Sequence, residues 1–315
     1  MKITRWGQSA YETDDDIARE VQGVTDLGGT MSTHPQHEHI LPEDTEGLVV
    51  TSKVQVSASV MQALPKLRFV LTSTSGYDHI DREYAHAHNI VVGRCPLARR
   101  DAVVSSSIAM GLSLVRSIPS LHSQAQEGTW ARASLPQRNI KNISDLSVGL
   151  IGYGIIGRAA FRVWTDLGAK VRWYDPHVLG SFPLEELLPI SDILSLHCAY
   201  TESSHGIINA QTLNWMPSGS ILLNTARGEC VDMDALIHAT HLGGYGLDVF
   251  PQEPPENLSD IAAHPNSIVL PHAAGYHNGL GEAVSKEVVD SVRMWMDDRR
   301  LPHTIYPDTN DSFSV

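Results

Sequence analysis

The sequence predicts an α/β protein of two doubly wound parallel-sheet units, the second inserted into the first. Three observations predict it. A glycine fingerprint, Gly152-Tyr153-Gly154-Ile155-Ile156-Gly157, lies near the middle of the 315 residues instead of at the start. Short apolar runs alternate with helical patterns on both sides of it. Two long helix candidates, Asp101 to Ile118 and Leu280 to Asp297, flank the inserted part.

In chain order, Leu48 to Thr51, Phe69 to Thr72 and Ile90 to Val92 are strand-like, and Val56 to Leu64 and Asp81 to Ala87 have helical spacing. They form a small α/β unit without a glycine fingerprint. Asp101 to Ile118 is mostly apolar and stops at Pro119, so it is expected to bridge the two units. The stretch from His122 to Asp145 is polar. Val148 to Ile151 is an apolar strand running into the fingerprint, and Arg158 to Leu167 follows as a helix with Phe161, Trp164 and Leu167 on one face. Lys170 to Tyr174 alternates as a strand and ends at Asp175. The strands Ile193 to His197, Ile221 to Asn224, Gly246 to Phe250 and Ile268 to Leu270 come next. Leu280 to Asp297 places Val284, Val288, Val292 and Trp295 on one side and is expected to return the chain to the first unit.

Strand, glycines, helix, strand and terminal acid together point to a dinucleotide. Gly152, Gly154 and Gly157 allow a tight turn and close backbone approach, so a pyrophosphate can rest on the helix N-terminus, where N–H groups and the dipole favour anions. Asp175 can accept hydrogen bonds from both ribose hydroxyls and would repel a 2'-phosphate. No arginine follows it in Pro176-His177, so NAD(H) is expected over NADP(H).

Composition narrows the function classes. With 42% hydrophobic and 19% charged residues, the chain is neither disordered nor fibrous. A formal net charge of −13 disfavours nucleic-acid binding, which calls for clustered Lys and Arg. The three cysteines Cys95, Cys198 and Cys230 are far apart without CxxC spacing, which suits reduced, buried thiols in a cytosolic protein. No segment approaches the length needed to cross a bilayer, so a cytoplasmic protein with no membrane partner is expected. His34, His37 and His39 lie in a polar, loop-like stretch, read as solvated loop and not as a metal site.

Three polar groups each follow a strand: Arg227 in Asn224-Thr225-Ala226-Arg227-Gly228, Glu253 after Leu247-Asp248-Val249-Phe250, and His272 after Leu270-Pro271. In a doubly wound sheet, ligands collect beyond the carboxyl ends of the strands, so all three are candidates for one crevice and for hydride-transfer chemistry.

The fingerprint with Asp175, together with SLHCAYT, INAQTL, ILLNTARG, VDMDAL, GLDVFPQEP and LPHAAG, resembles the successive motifs of the D-isomer-specific 2-hydroxyacid dehydrogenase family. The resemblance runs from about Leu67 to about Val292. It implies two Rossmann-like domains: an NAD-binding domain, 104–280, inserted into a flavodoxin-like substrate domain, 1–103 with 281–315. It also implies a homodimer built mainly on the cofactor domains.

Residue by residue, the resemblance implies that His272 is the acid/base for the substrate's 2-oxo oxygen. Glu253 would stabilise the protonated imidazole, and Arg227 would bind the substrate carboxylate and polarise the carbonyl. The backbone N–H groups of Ser75 and Gly76 match the family's carboxylate-binding loop. Asp248 would meet the nicotinamide carboxamide. Ile155, Ile156, His197, Thr225, Ala226, His272 and Gly275 complete the expected cofactor contacts.

The chain departs from the family pattern in places. Ser105 stands where a glutamate is common, and Arg94, Arg99 and Arg100 stand where small or amide residues are usual. Arg99 and Arg100 are read as lying in the loop entering the interdomain helix. One of them is a candidate for an anionic group at the far end of the substrate, with solvated loop arginines as the alternative. Two function classes stay open: an NAD-dependent reductase of small 2-oxo acids, and a non-catalytic NAD(H)-sensing protein like the corepressors among the family's relatives.

Overall fold

The computed structural model describes residues 1–306. These fall into two compact units, one of Met1–Arg99 with the described residues from Tyr276 onward, the other of Arg100–Gly275.

The first unit holds β1 (Lys2–Trp6), β2 (Thr30–His34), β3 (Gly47–Val50), β4 (Phe69–Thr72) and β5 (Val91–Arg94) in a parallel sheet of order β2-β1-β3-β4-β5. That is the flavodoxin-type strand order. The helix Leu280–Asp298 buries Val284, Val288, Val292 and Trp295 in one cluster with Ile3, Val49, Phe69 and Leu71. Trp295 meets the Phe69 ring at 4.9 Å between centroids. The apolar side read from the sequence is therefore the side that packs on the sheet.

Sequence patterning left the first forty-odd residues without named elements. The reason is a buried ion cluster where an apolar residue would mark the strand. Arg5 on β1 is enclosed and pairs with Glu12 at 2.6 Å and Glu20 at 3.0 Å. The helix Asp14–Asp26 begins at a reciprocal cap between Thr13 and Asp16 and carries Glu20 into that cluster.

The second unit holds β6 (Ser147–Ile151), β7 (Lys170–Tyr174), β8 (Ile193–Leu196), β9 (Ile221–Asn224), β10 (Gly244–Leu247) and β11 (Ser267–Val269), all parallel, in the order β11-β10-β9-β8-β6-β7. The order reverses at β6, which has β7 on one side and β8 on the other. The carboxyl end of β6 is thus a topological switch point, where open α/β sheets bind ligands.

Several boundaries differ from expectation. The interdomain helix runs Leu97–Val115, so Arg99 and Arg100 lie in its first turn and not in a loop. Its early start has a cause 190 residues away: the Glu287 carboxylate accepts the otherwise orphaned N–H groups of Leu97 at 2.9 Å and Ala98 at 2.7 Å. Pro119 does not end that helix but sits in the first turn of a second one, Ile118–Gln126, where its missing donor costs nothing. The segment Val56–Leu64 is helical only over Ala58–Gln62, because Val56 pairs with the His79–Asp81 backbone as an isolated bridge. The helix after the fingerprint begins at Ile155, three residues before the expected Arg158. β10 ends at Leu247; Val249 and Phe250 are buried in the turn beyond it.

Candidate active site

The fingerprint follows β6. Gly152 has φ +91°, and a Cβ there would lie 2.5 Å from the Cys198 backbone nitrogen. A Cβ on Gly157 would lie 2.1 Å from the Gly152 carbonyl oxygen. Neither contact can yield, because the opposing atoms are backbone. Gly154 is the N-cap of the twelve-residue helix Ile155–Asp166 and brings no capping side chain, so the first N–H groups of Ile155, Ile156 and Gly157 are available to a ligand.

Asp175, at the end of β7, is tied to that turn. Its Oδ2 accepts the Tyr153 N–H at 2.8 Å and its Oδ1 the His177 N–H at 3.0 Å. Tyr153 stacks on Trp173 at 4.2 Å, and the Arg158 guanidinium lies 4.6 Å above the Tyr153 ring. These aromatic contacts were not read from the sequence, where Tyr153 is only a variable position inside the fingerprint.

His197 follows β8, with its Cβ 3.6 Å from where a Gly157 Cβ would stand. Its Nε2 meets Ser195 Oγ at 3.0 Å, and burial lowers its pKa to about 4, so the ring is neutral at ordinary pH. His197 Nδ1 and Thr225 Oγ1 are buried and lack a partner among the described residues. Buried polar atoms are normally paired, so these two, one beside the glycine cradle and one just beyond β9, fit the polar parts of a dinucleotide.

The segment after β9 is set by Asn224, a residue the motif reading overlooked. Its Oδ1 accepts the Ala226 N–H at 3.0 Å and its Nδ2 donates to the Arg227 carbonyl at 2.8 Å. Arg227 is half-buried and donates from Nη1 to the Ala226 carbonyl at 2.8 Å. Gly228 then presses on the turn beyond β10: a Cβ there would stand 1.9 Å from the Phe250 carbonyl carbon and 2.2 Å from Pro251 N. That approach brings the Arg227 segment against the segment carrying Glu253.

Glu253 Oε1 accepts the Phe250 N–H at 3.1 Å, and Oε2 meets His272 Nδ1 at 2.8 Å. Burial raises the Glu253 pKa. The hydrogen bond and charge of His272, the Phe250 N–H and the Arg227 charge outweigh it and leave the carboxyl below its ordinary value. An ionised partner at Nδ1 fixes the imidazole tautomer and leaves Nε2 as the nitrogen that faces away from Glu253.

His272 has φ +53°, a left-handed conformation that a non-glycine residue adopts only when its surroundings impose it. Asp248 imposes it. Its carbonyl accepts the His272 N–H at 2.8 Å, its Oδ1 the Ala273 N–H at 2.7 Å, and its Oδ2 the Ala274 N–H at 3.0 Å. Asp248 is 1% exposed; burial pushes its carboxyl up, against the two N–H bonds and the His272 charge. The Ala274 carbonyl in turn accepts Ser106 Oγ at 3.2 Å. Gly275 closes this unit.

Arg227, Glu253 and His272 are thus joined within the second unit, whereas Ser75 and Gly76 belong to the first. There the loop after β4 has its carbonyls held: Arg94 Nη1 donates to Ser75 O at 3.1 Å, Thr74 Oγ1 to Gly76 O at 3.0 Å, and Arg99 Nη1 to Ser73 O at 2.7 Å. Arg100 pairs with Asp101 at 2.7 Å. Ser105 Oγ donates to the Asp101 carbonyl of its own helix at 2.7 Å. His34 meets Glu38 at 3.1 Å, and among the described residues no group of three or more His, Cys, Asp or Glu is arranged to hold a metal ion. No single described helix is long and apolar enough to cross a membrane.

Residues 108–274 match the family model described as D-isomer specific 2-hydroxyacid dehydrogenase, NAD binding domain. A putative 2-hydroxyacid dehydrogenase of Haemophilus influenzae is 33% identical over 263 residues, covering 77% of this chain and 84% of the relative. The D-3-phosphoglycerate dehydrogenase of Homo sapiens is 31% identical over 267 residues, covering 80% of this chain but 49% of the relative. The chain therefore spans about half the length of the curated phosphoglycerate dehydrogenases it matches. Among solved structures, a D-lactate dehydrogenase from Aquifex aeolicus complexed with NAD and lactic acid superposes with TM-score 0.78 at 26% identity, covering 94% of this chain and 96% of that one. The motif order, the two parallel sheets and these matches lead to one conclusion: the chain belongs to the D-isomer specific 2-hydroxyacid dehydrogenase family.

Proposed function

We propose that the protein is an NAD-dependent D-2-hydroxyacid dehydrogenase that interconverts a small 2-oxo acid and its D-2-hydroxy acid. The observation that carries this reading is the His272–Glu253 pair at 2.8 Å, with the Arg227 segment locked against the Glu253 turn through Gly228. Gly152, Gly154, Ile155, Ile156 and Gly157 would hold the pyrophosphate, Asp175 the adenosine ribose, and His197, Thr225, Ala226 and Gly275 the rest of the dinucleotide. Asp175, whose carboxylate already faces the fingerprint turn, supports NAD(H) over NADP(H). A nicotinamide bound there would supply the hydride.

The chain's own residues do the remainder. Arg227 binds the substrate carboxylate with a permanently charged planar fork and polarises the 2-oxo group. His272 carries a proton at Nε2 for the carbonyl oxygen, and takes it back in the oxidative direction. Glu253, ionised and hydrogen-bonded to Nδ1, stabilises the imidazolium before transfer and holds the ring in place. Asp248 is a positioning residue: its grip on Ala273 and Ala274 sets the His272 turn, while its carboxylate remains the candidate for the nicotinamide carboxamide. The N–H groups of Ser75 and Gly76 serve the substrate carboxylate. A cytoplasmic homodimer completes the reading, and light scattering tests the dimer.

Glyoxylate, hydroxypyruvate, pyruvate-like acids and a phosphorylated 2-oxo acid are the substrates to assay. Curated relatives include a glyoxylate reductase of Korarchaeum cryptofilum and a glycerate dehydrogenase of Methylorubrum extorquens, each 30% identical. The test is NADH oxidation against that panel, with NADPH as control. Tight NADH binding without turnover on any acid would favour an NAD(H)-sensing protein instead.

A further inference from the structure

Cys198 and Cys230 are 32 residues apart in sequence, yet their sulfur atoms lie 3.9 Å apart in the second unit. Each belongs to a segment of the candidate site. Cys198 follows β8, and its backbone N and Cα lie 2.5 and 2.6 Å from where a Gly152 Cβ would be, so it forms one wall of the fingerprint turn. Cys230 ends the short turn Gly228–Cys230, and its N–H donates to the Arg227 carbonyl at 3.3 Å. No third metal-ligating side chain joins them among the described residues. Cys230 is buried and Cys198 half-buried, so an oxidant that reaches the pair must be small.

We infer that Cys198 and Cys230 are a reversible redox switch: a hydroperoxide closes them into a disulfide, and closure weakens dinucleotide binding at the adjacent glycine turn. The second half of this inference rests on the cofactor reading above. The two sulfurs share a hydrogen bond that lowers the Cys230 pKa and, with burial, raises that of Cys198, so Cys230 is the more readily ionised thiol. The Cys230 thiol gives up its proton, and its sulfur takes the terminal oxygen of the hydroperoxide. The O–O bond breaks, and the alkoxide leaves and is protonated to an alcohol. The Cys198 sulfur then attacks the Cys230 sulfenic acid, the S–O bond breaks, and hydroxide departs with the Cys198 proton as water. Two thiols and one hydroperoxide give one disulfide, one alcohol and one water; the sulfurs lose two electrons and the oxygens gain them.

A disulfide holds its sulfurs about 2.05 Å apart, so the present 3.9 Å must close by roughly 1.9 Å. The backbone atoms of Cys198 sit against the Gly152 turn with no slack, so part of that movement reaches the turn. Displacements of about 1 Å in a bound geometry cost up to about a hundredfold, and we expect NADH affinity to fall on the order of tenfold.

The experiment treats the purified full chain with hydrogen peroxide, maps disulfides by peptide mass, and measures NADH affinity before treatment, after it, and after dithiothreitol. The expected result is a Cys198–Cys230 link, weaker NADH binding, and recovery on reduction. Cys95→Ser keeps all three responses, and Cys230→Ser loses the link and the reversible change in affinity. Cys230 over-oxidised or unreacted without a link overturns the thiol chemistry. A mapped link with unchanged NADH affinity overturns the switch. Failure of the reduced chain to bind NADH at all refutes the cofactor reading and the switch with it, and the disulfide map separates that failure from one of the thiol chemistry.

Discussion

Gly228→Ala probes the joint between Arg227, the proposed substrate-binding residue, and Glu253–His272, the proposed acid/base pair. The added Cβ would stand 1.9 Å from the Phe250 carbonyl carbon, against an ordinary contact of 3.4 Å or more, so the two backbones must part by about 1.5 Å. Both opposing atoms are main chain, and neither can rotate away. Overpacking of this kind costs about 1–3 kcal/mol of stability. The larger effect falls on activity, because Arg227 is carried on one side of the joint and Glu253 with His272 on the other. A misplacement of about 1 Å costs on the order of a hundredfold. We predict that kcat/KM for a 2-oxo acid falls about a hundredfold, equivalent to roughly 2.7 kcal/mol of transition-state stabilisation. Steady-state kinetics beside a direct NADH titration measures it; the fingerprint lies on other strands, so NADH affinity should fall much less than kcat/KM. A folded variant with wild-type kcat/KM would refute the reasoning that this contact sets the site.

Further predictions follow from single contacts. In Asp248→Asn, the amide turns a donor toward Ala273 or Ala274; the lost bond costs about 1–3 kcal/mol of stability, and kcat falls more than NADH affinity, as thermal melts and kinetics would show. Asp175→Ser removes the carboxylate that accepts the Tyr153 N–H; NADH should bind about tenfold more weakly, and the NADPH to NADH preference ratio should rise in paired titrations. Burial raises Glu20 to about 7 from 4.5, with Arg5 opposing it, so the unfolded chain ionises there first and this group costs the fold increasing stability as pH rises from about 4.5 to about 7. The melting temperature of Glu20→Gln relative to the parent should therefore climb between pH 5 and pH 8, and a pH-independent difference would sink the assignment.

What the sequence made legible was local. Gly152, Gly154, Gly157 and Asp175 announce themselves because a tight turn and a strand-end acid are short-range features, and the side of the helix bearing Val284, Val288, Val292 and Trp295 shows in its spacing. Arg227, Glu253 and His272 were legible as residues following strands, but not the Gly228 contact that couples two of them. The N-terminal strand and helix were hidden by Arg5 and Glu20, charged residues in core positions that break the apolar pattern. The start of the Leu97 helix depends on Glu287, and the thiol contact depends on how β8 and the turn after β9 lie side by side. Local periodicity carries no trace of such long-range partners. Arg99 was placed in a loop for the same reason, and it proves to brace the Ser73 carbonyl from a helix.

One step decides the proposed function: His272, held by Glu253 and Asp248, moves the proton that accompanies hydride transfer. Its most direct test is NADH oxidation with the 2-oxo acid panel by the intact chain and by His272→Ala, each with its NADH affinity measured. Turnover of at least one acid by the intact chain is expected, with a loss of about 100- to 10,000-fold in kcat for the variant that far exceeds any loss of NADH affinity. Equal turnover by both proteins would contradict it.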